Sequence, residues 1–218
     1  MRIPIAKDGY VFIFPLAVLT GIFWALSWFW VTGLFVGLFL FVTWFFRDPE
    51  RSIPEDPNAI VSAGDGRVVE IVQEKDPLLD GVYTRVSVFL NVFNVHVNRV
   101  PISGKIQATR YNPGKFFNAA SHKASLDNEQ SAILLNNGHV TILVKQIAGL
   151  IARRIVCWAE EGDEYQRGQR FGLIRFGSRL DVYLPEGVTP LVALGQTMAA
   201  GETVLADLAA DEPARQAR

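Results

Sequence analysis

A long stretch without charged side chains, residues 9–46, constrains the fold of this chain more than any other feature of the sequence. One helix needs about 20 apolar residues to cross a bilayer, so the stretch has room for two helices joined by a turn. Basic side chains flank it on both sides, at Arg2, Lys7, Arg47 and Arg51. Because basic flanks tend to stay in the cytoplasm, a hairpin satisfies both flanks and a single span does not. We therefore expect residues 1–46 to form an α-helical membrane hairpin on the cytoplasmic face of the cell (inner) membrane.

The position of the turn in this hairpin is indicated by aromatic residues. Trp24, Trp28 and Trp30 would form an interfacial belt, and they come just before Thr32 and Gly33, where we expect the turn. The arm that follows is short for a full crossing at about 1.5 Å per residue. A re-entrant hairpin that lies in the interface is therefore the alternative to two full spans.

The sequence changes character after the anchor. Residues 47–57 hold three prolines and six charged residues, a composition typical of a semi-rigid linker. Residues 58–209 contain short alternating apolar segments, among them 67–73, 82–90, 140–144 and 150–158, separated by turn residues such as Asp65-Gly66 and Asn137-Gly138. This pattern predicts a mainly β domain, a sandwich or barrel. Residues 210–218 are expected to be a flexible tail.

Composition excludes several classes of function. The chain has 21 basic and 22 acidic side chains and a net charge of -1, so it lacks the basic surface that a nucleic-acid-binding protein needs. No cluster of Cys and His has the spacing of a zinc site, and no metal is predicted. The single cysteine, Cys157, lies in an apolar segment and is expected to be a core residue.

Ser178 occupies a position where a strand should carry an apolar side chain. Even-numbered residues from Ile174 to Leu184 are otherwise apolar and would share the inward face, whereas Arg175, Arg179 and Asp181 would face outward. A buried hydroxyl costs free energy unless it is hydrogen-bonded. Either Ser178 is a satisfied core serine beside a glycine bulge, or it is a reactive group.

The chain contains three histidines, of which His96 has the most suggestive surroundings. Alternation places Asn94, His96 and Asn98 on one face of a strand, which is either a solvated surface or a polar site. His122 lies on a polar segment and is a second candidate. Asp65 precedes a glycine and is also typical of a tight turn.

Four motifs taken together resemble the phosphatidylserine decarboxylase proenzyme family in its short bacterial and archaeal form. They are AGDG at residues 63–66, NVHVNRVP at 94–101 with Gly104 three residues later, NPG at 112–114, and FGSR at 176–179. The resemblance covers nearly the whole of residues 58–209, and the apolar N-terminal segment agrees with it.

The resemblance implies self-cleavage between Gly177 and Ser178. A β chain of residues 1–177 and an α chain of residues 178–218 would form a heterodimer, with a higher oligomer possible. Ser178 would become a pyruvoyl cofactor, with no metal and no pyridoxal phosphate. That group would form a Schiff base with phosphatidylserine and release carbon dioxide and phosphatidylethanolamine. His96 and Asp65 match the family's base and its partner, and His96 is also the candidate acid for decarboxylation.

One position departs from the longer bacterial members of the family. They carry two histidines in a Tyr-His-x-x-His segment, and the later position is Arg99 in this chain. His96 would therefore serve more than one step, with His122 in reserve. The residues that bind the lipid head group are not identified, although Arg99, Arg110 and Lys115 could meet a phosphate.

Two other functions fit parts of the sequence. A non-catalytic, membrane-anchored β domain of the lipoyl or adaptor kind would share the anchor and the strands, but it leaves the inward serine unexplained. A membrane-bound serine hydrolase would use Ser178 as a nucleophile, but the Gly-x-Ser-x-Gly elbow of that class is absent.

Overall fold

The computed structural model describes residues 4–114, 128–149, 154–175 and 177–209. The chain divides into two compact units, Met1–Glu50 and Arg51–Arg218. The predicted fold class, mainly β with an apolar helical segment at the N-terminus, is confirmed.

The first unit is a pair of apolar helices. A short 3-10 turn, Lys7–Gly9, leads into α1 (Tyr10–Ala25), and α2 (Phe29–Phe45) packs against it. Both helices expose large apolar side chains, and such helices are typical of a lipid environment. The helical segment Lys7–Ala25 is long and apolar enough to cross a membrane by length and composition, whereas α2 is shorter.

The turn between the helices lies about five residues before its predicted position. Ser27 has a φ of 58° and connects the two helices, whereas Thr32 and Gly33 lie inside α2. The hydroxyl of Thr32 donates to the carbonyl of Trp28 over 3.0 Å. That bond gives the hydroxyl a partner within the helix, so Thr32 does not need to end it. The prediction of a turn at Thr32 was therefore wrong.

The second unit contains thirteen strands in the part of the chain that is described. In chain order they are β1 (Ala59–Val61), β2 (Gly66–Glu74), β3 (Tyr83–Leu90), β4 (Val97–Arg99), β5 (Gly104–Asn112), β6 (Gln130–Asn136), β7 (Thr141–Ala148), β8 (Ile155–Cys157), β9 (Glu164–Tyr165), β10 (Arg170–Ile174), β11 (Ser178–Leu184), β12 (Thr197–Met198) and β13 (Val204–Asp207).

These strands form three antiparallel sheets. The largest has eight strands in the order β12-β2-β3-β11-β7-β6-β5-β9, a second has the order β4-β10-β8, and β1 pairs with β13. Apolar side chains from one face of the large sheet and from the three-stranded sheet form a single core, which includes Val86, Val144, Phe171, Ile174 and Val182. We call the face of the large sheet that lines this core the inner face, and the opposite one the outer face. β11 lies near the centre of the large sheet, between β3 and β7.

The sequence around residue 177 forms two strands and not one. β10 ends at Ile174 and belongs to the three-stranded sheet, whereas β11 begins at Ser178 in the large sheet. Gly177 has a φ of +76°, a value that glycine adopts readily and other residues resist, and the chain changes sheets there. Phe176 lies outside the described residues.

Two other local predictions differ from the structure. The Asn137-Gly138 turn joins β6 to β7 as expected, but β1 pairs with β13 and not with β2, so Asp65-Gly66 is not the turn of a hairpin. Around His96 the strand is limited to Val97–Arg99. Residues 91–94 form a turn held by the side chains of Asn91 and Asn94, because these side chains hydrogen-bond to nearby backbone N–H groups.

The segment after Glu50 is bound to the β domain. Arg51 forms an ion pair with Asp65, and the backbone N–H of Ser52 donates to Glu202 over 2.9 Å. The guanidinium of Arg167 donates to the carbonyl of Pro54. Residues 51–54 are therefore held by hydrogen bonds to the second unit.

Candidate active site

The four sequence motifs meet around Ser178. Ser178 pairs with Leu90 of β3 on one side and with Ala148 of β7 on the other. The carbonyl of Ala148 accepts a hydrogen bond of 2.7 Å from the side chain of Asn128, and a side chain at Gly114 would clash with the backbone of Asn128. The NPG motif therefore packs next to the cross-strand neighbour of Ser178.

The other two motifs, AGDG and NVHVNRVP, contact each other and β11. A side chain at Gly64 would clash with Leu180 of β11, so the AGDG segment lies directly against that strand. The backbone N–H of Arg99 donates to the carbonyl of Ala63 over 2.9 Å. Segments separated by more than 100 residues in the sequence are thus joined around one serine.

Ser178 has the environment of a reactive group. Its side chain is fully buried, and its Oγ has no hydrogen-bond partner. A buried hydroxyl without a partner costs about 1–3 kcal/mol, so such atoms call for an explanation. A side chain built at Gly177 would meet no described atom within 4 Å, which leaves space beside the Gly177–Ser178 peptide bond.

His96 lies next to this peptide bond. Its ring is 2% exposed, and its Nε2 accepts a hydrogen bond from the backbone N–H of Gly177 over 3.2 Å. Its Nδ1 lies 3.0 Å from the carbonyl oxygen of Asn94. A carbonyl can only accept, so Nδ1 carries the proton and the lone pair on Nε2 points to Gly177. A backbone carbonyl thus sets the tautomer of this histidine.

Asp65 makes its hydrogen bonds to other groups. Both of its oxygens lie 2.9 Å from Nη2 of Arg51, and Oδ1 also accepts from the backbone N–H of Ala200 over 2.8 Å. Among the described residues, no hydrogen bond joins Asp65 to His96. Asp65 therefore lies in a motif that packs against β11, but its carboxylate is directed to Arg51.

The remaining sequence candidates divide into two groups. The side chain of Arg99 is 4% exposed and donates to the carbonyl of Gly168 over 2.8 Å, and Arg110 is exposed on β5. His122 and Lys115 lie outside the described residues.

On the outer face, directly behind residue 178, lies a buried group of charges that we call the ionic cluster: Glu70, Glu74, Arg85, Arg179 and Asp181. Arg179 contacts Asp181 over 2.6 Å and Glu70 over 3.0 Å, and Arg85 contacts Asp181 over 3.1 Å. The outward position predicted for Arg179 and Asp181 is observed, but both are buried, at 1% and 0% exposure. The cluster ties the start of β11 to β2 and β3.

Charge balance in the ionic cluster favours a proton on one carboxyl. Two guanidinium groups face three carboxyl groups, of which Asp181 is the most buried. Burial raises the pKa of Asp181 to about 6, although Arg85 opposes the shift. Burial also raises the pKa of Tyr183, whose hydroxyl donates to Glu74 over 2.8 Å.

A further polar residue on the inner face, Gln146, was missed by the sequence analysis. Its Nε2 donates to Oδ1 of Asn98 over 2.8 Å and joins β7 to β4. The signal was available, because Gln146 interrupts the apolar alternation of Ile142, Val144 and Ala148 in the way that Ser178 interrupts its own.

The site as described offers a hydroxyl, an adjacent peptide bond and an imidazole. Among the described residues no group of three His, Cys, Asp or Glu side chains could hold a metal ion. These are the types of group that nucleophilic and acid–base chemistry uses, and Ser178 and His96 both lie next to Gly177.

Comparison with known proteins gives consistent results. The profile of the phosphatidylserine decarboxylase family matches residues 38–206. Three curated relatives each bear the name phosphatidylserine decarboxylase proenzyme. The one from Ruegeria pomeroyi is 52% identical, covering 94% of this chain and 95% of the relative. Those from Beijerinckia indica subsp. indica and Geotalea uraniireducens are 48% and 46% identical, with coverage of 96% and 93% of this chain and 92% and 95% of the relative.

Proposed function

This chain belongs to the phosphatidylserine decarboxylase family, and from that premise we propose that it cuts itself between Gly177 and Ser178 and then converts phosphatidylserine to phosphatidylethanolamine and carbon dioxide. The observation that carries the proposal is the buried, unpartnered Oγ of Ser178 beside a glycine of positive φ. The imidazole of His96 lies within hydrogen-bond distance of that same glycine.

The cut would proceed through an acyl shift. Ser178 Oγ forms a bond to the carbonyl carbon of Gly177, the bond from that carbon to the Ser178 nitrogen breaks, and the nitrogen takes up the proton. Loss of the Ser178 α-proton and of the Gly177 carboxylate then leaves dehydroalanine. Its enamine tautomerises to an imine, water adds, and ammonia departs to leave the keto group.

His96 would act as the base for the attack. A serine hydroxyl is a weak nucleophile and needs an adjacent proton acceptor. Nδ1 donates its proton to the carbonyl of Asn94, so Nε2 is the ring nitrogen that would take up the proton of Ser178. Nε2 accepts from the N–H of Gly177 in the uncut chain, so this hydrogen bond would have to break as the proton is transferred. Gly177 belongs to neither strand, because β10 ends at Ile174 and β11 begins at Ser178.

The residues around position 178 fit a pyruvoyl group. The orphaned Oγ of Ser178 is the atom that the conversion removes, and Leu90 and Ala148 pair with residue 178 from both sides. The group would supply a carbonyl that condenses with the amine of the lipid and accepts electrons as carbon dioxide leaves. Arg179, bound in the ionic cluster, would hold the new chain end in register.

His96 would also have a role in the second reaction. In the cut enzyme Gly177 would be the C-terminal residue of the β chain, so its N–H could move away from Nε2 of His96. A histidine exchanges protons near neutral pH, so His96 is the residue that would deliver the proton to the carbon that has lost carbon dioxide. One imidazole would therefore serve both reactions.

The proposal extends to the assembly and its location. The two products of the cut, residues 1–177 and 178–218, would remain together because β11 pairs with β3 and β7 across the new chain end. The apolar segment Lys7–Ala25 supports attachment to the membrane that contains the lipid substrate, and the basic flanks of the apolar segment favour the cytoplasmic face of the inner membrane. Family membership argues against the non-catalytic β domain as an alternative.

Intact-mass analysis of the purified full-length protein tests the proposal. We expect two chains, of which the 41 residues 178–218 resist Edman degradation and react with a hydrazide that labels ketones. Ser178→Ala should give one uncut chain without decarboxylase activity. Ser103→Ala, at an exposed serine, is the matched control and should be cut normally. A single wild-type chain of full mass would overturn the proposal.

A further inference from the structure

Two buried amide side chains connect the sheets beside residue 178. Nε2 of Gln146 in β7 donates to Oδ1 of Asn98 in β4 over 2.8 Å and to the carbonyl of Val156 in β8 over 3.3 Å. Both amides are fully buried. A carbonyl only accepts, so Val156 fixes which end of the Gln146 amide is the nitrogen. Gln146 then fixes the orientation of the Asn98 amide in the same way.

This arrangement leaves one donor and one acceptor unused. Nδ2 of Asn98 and Oε1 of Gln146 are buried and have no hydrogen-bond partner in the described part of the protein. Each such atom costs about 1–3 kcal/mol. A fold rarely retains two of them on hydrogen-bonded side chains without a use.

Both amides belong to segments that contact the position where the chain would be cut. Gln146 is two residues before Ala148, the cross-strand partner of Ser178, and alternation puts Gln146 and Ala148 on the same face of β7. Asn98 is two residues after His96, whose ring contacts Gly177. The unpaired Oγ of Ser178 lies on that same inner face.

A cavity lies close to the amide pair without being lined by it. It has a volume of about 310 Å³, and its wall includes Ser131 and Cys157. Ser131 is the cross-strand partner of Gln146. Cys157 is paired with Gly172, where a side chain would contact Nε2 of Gln146 at 2.8 Å. The cavity and the amide pair are therefore separated by a single layer of residues.

We propose that Asn98 and Gln146 form the subsite for the amino-acid head group of the substrate, with Gln146 Oε1 accepting from its amine and Asn98 Nδ2 donating to its carboxylate. This inference rests on the proposed function. The head group of phosphatidylserine carries one group that donates hydrogen bonds and one that accepts them, which matches the unused acceptor and donor. Gln146, which lies in the strand that pairs with β11, would direct the amine to the carbonyl at residue 178.

The choice of a neutral donor agrees with the chemistry. The carboxylate is the group that leaves as carbon dioxide, so a strong ion pair with it would stabilise the substrate more than the transition state. An amide N–H orients the carboxylate with a weaker bond. Arg99, the nearest basic residue in the sequence, directs its guanidinium to Gly168 instead.

The experiment compares two lipids on the cut enzyme. Turnover of phosphatidylserine in mixed micelles requires both contacts. Reductive capture of phosphatidylethanolamine by cyanoborohydride requires only the amine contact, because this lipid has no carboxylate. In the capture, the keto oxygen leaves as water, and its carbon gains the amine nitrogen and a hydride from cyanoborohydride, with a proton taken from the solvent. The fragment 178–218 therefore gains the mass of the lipid less one oxygen atom.

Asn98→Leu removes the donor at nearly constant volume. We expect normal self-cleavage, normal capture of phosphatidylethanolamine, and a fall of roughly tenfold to a hundredfold in kcat/KM for phosphatidylserine. Gln146→Met should be cut normally but lose roughly tenfold or more in both measurements. Asn136→Leu, which removes a side-chain hydrogen bond between β6 and β7 far from residue 178, is the control and should change neither.

A second variant covers the case in which Asn98→Leu does not fold. Asn98→Asp keeps the acceptor for Gln146 Nε2 and replaces the donor by an oxygen that repels the carboxylate, so it should lose phosphatidylserine turnover and keep phosphatidylethanolamine capture. Equal effects on the two lipids, no effect on either, or failure of both Asn98 variants to cut themselves would overturn the inference. A wild-type enzyme that neither cuts nor captures an amine would instead overturn the proposed function.

Discussion

The backbone N–H of Gly177 donates to Nε2 of His96 over 3.2 Å, and the opposite ring nitrogen faces the carbonyl of Asn94. The hydrogen bond between Gly177 and His96 connects the link between β10 and β11 to the segment before β4. It lies next to the peptide bond that we expect to break. Four motifs that lie far apart in the sequence are held around it by backbone hydrogen bonds and close glycine contacts.

The first prediction concerns His96→Asn. The asparagine cannot take a proton from Ser178 at neutral pH, so we expect cutting to slow by roughly a hundredfold to ten-thousandfold. The measurement is a time course of uncut and cut chains by intact mass after cell-free synthesis. His139→Asn, at an exposed histidine, should cut at the wild-type rate. Normal cutting and turnover in His96→Asn would move the role to another residue, with His122 the first to test.

The second prediction concerns Gly177→Ala. Gly177 has a φ of +76° with open space where a side chain would lie, so alanine strains only the backbone, by about 1–2 kcal/mol. The uncut precursor should lose about that much stability, and cutting should slow because the peptide bond rotates from its reactive orientation. In the cut enzyme residue 177 is a chain end, so turnover per cut molecule should be unchanged.

Gly138→Ala is a close control for this variant. Gly138 also has a positive φ, of +90°, and open space for a side chain, but it lies in the β6–β7 turn. Alanine there should cost similar stability and leave cutting unchanged. If both variants slow cutting equally, loss of stability would explain the effect and the geometry of Gly177 would not.

The third prediction separates two roles for Asp65. Its carboxylate binds Arg51 through both oxygens and accepts from Ala200, and both partners of the ion pair are largely buried. If Asp65 acts by holding the AGDG segment against β11, Asp65→Asn and Arg51→Met should each lower stability by about 1–3 kcal/mol and should slow cutting together.

A double-mutant cycle measures this coupling. The double variant Asp65→Asn/Arg51→Met should cost less than the sum of the single variants, in both stability and cutting rate. Glu202→Gln, which changes a more exposed partner of Arg51, should have a smaller effect. Slow cutting in Asp65→Asn alone, with Arg51→Met like the wild type, would indicate a direct action of Asp65 on the reacting groups.

Periodicity predicted the elements of this fold better than it predicted their environment. Alternation located β2, β3 and β7, and it placed Ser178 and Arg179 on opposite faces of β11. It could not indicate that the outer face is also buried, because a strand pattern does not show what covers each face. The ion pair between Asp65 and Arg51 could not be predicted either. Arg51 lies in a proline-rich segment, and its composition alone indicates a linker.

The residues of the candidate site could be predicted only in part, because a local pattern shows which residues are unusual but not which residues they contact. The interruption of an apolar face identified Ser178, and the polar residues around His96 drew attention to this histidine, whose ring contacts Gly177. The amide bridge of Gln146 and Asn98 depends on the distance between two sheets, which no local pattern encodes. The exchange of sheets at Gly177 likewise requires knowledge of both partner strands.

The last prediction uses the ionic cluster to test the charge on Asp181. Burial raises its pKa to about 6 from an ordinary value of 3.8, so between about pH 4 and pH 6 the folded protein keeps a proton that the unfolded chain has released. This contribution to stability is fully present below pH 4 and is lost as the pH rises through 6, with an upper limit of about 3 kcal/mol. Asp181→Asn does not titrate, so the Tm of the wild type relative to this variant should fall between pH 4 and pH 7. Both should be measured in detergent on the uncut Ser178→Ala background, where one chain unfolds. A relative Tm that stays constant over this range would show that Asp181 is ionised throughout and held by Arg85 and Arg179.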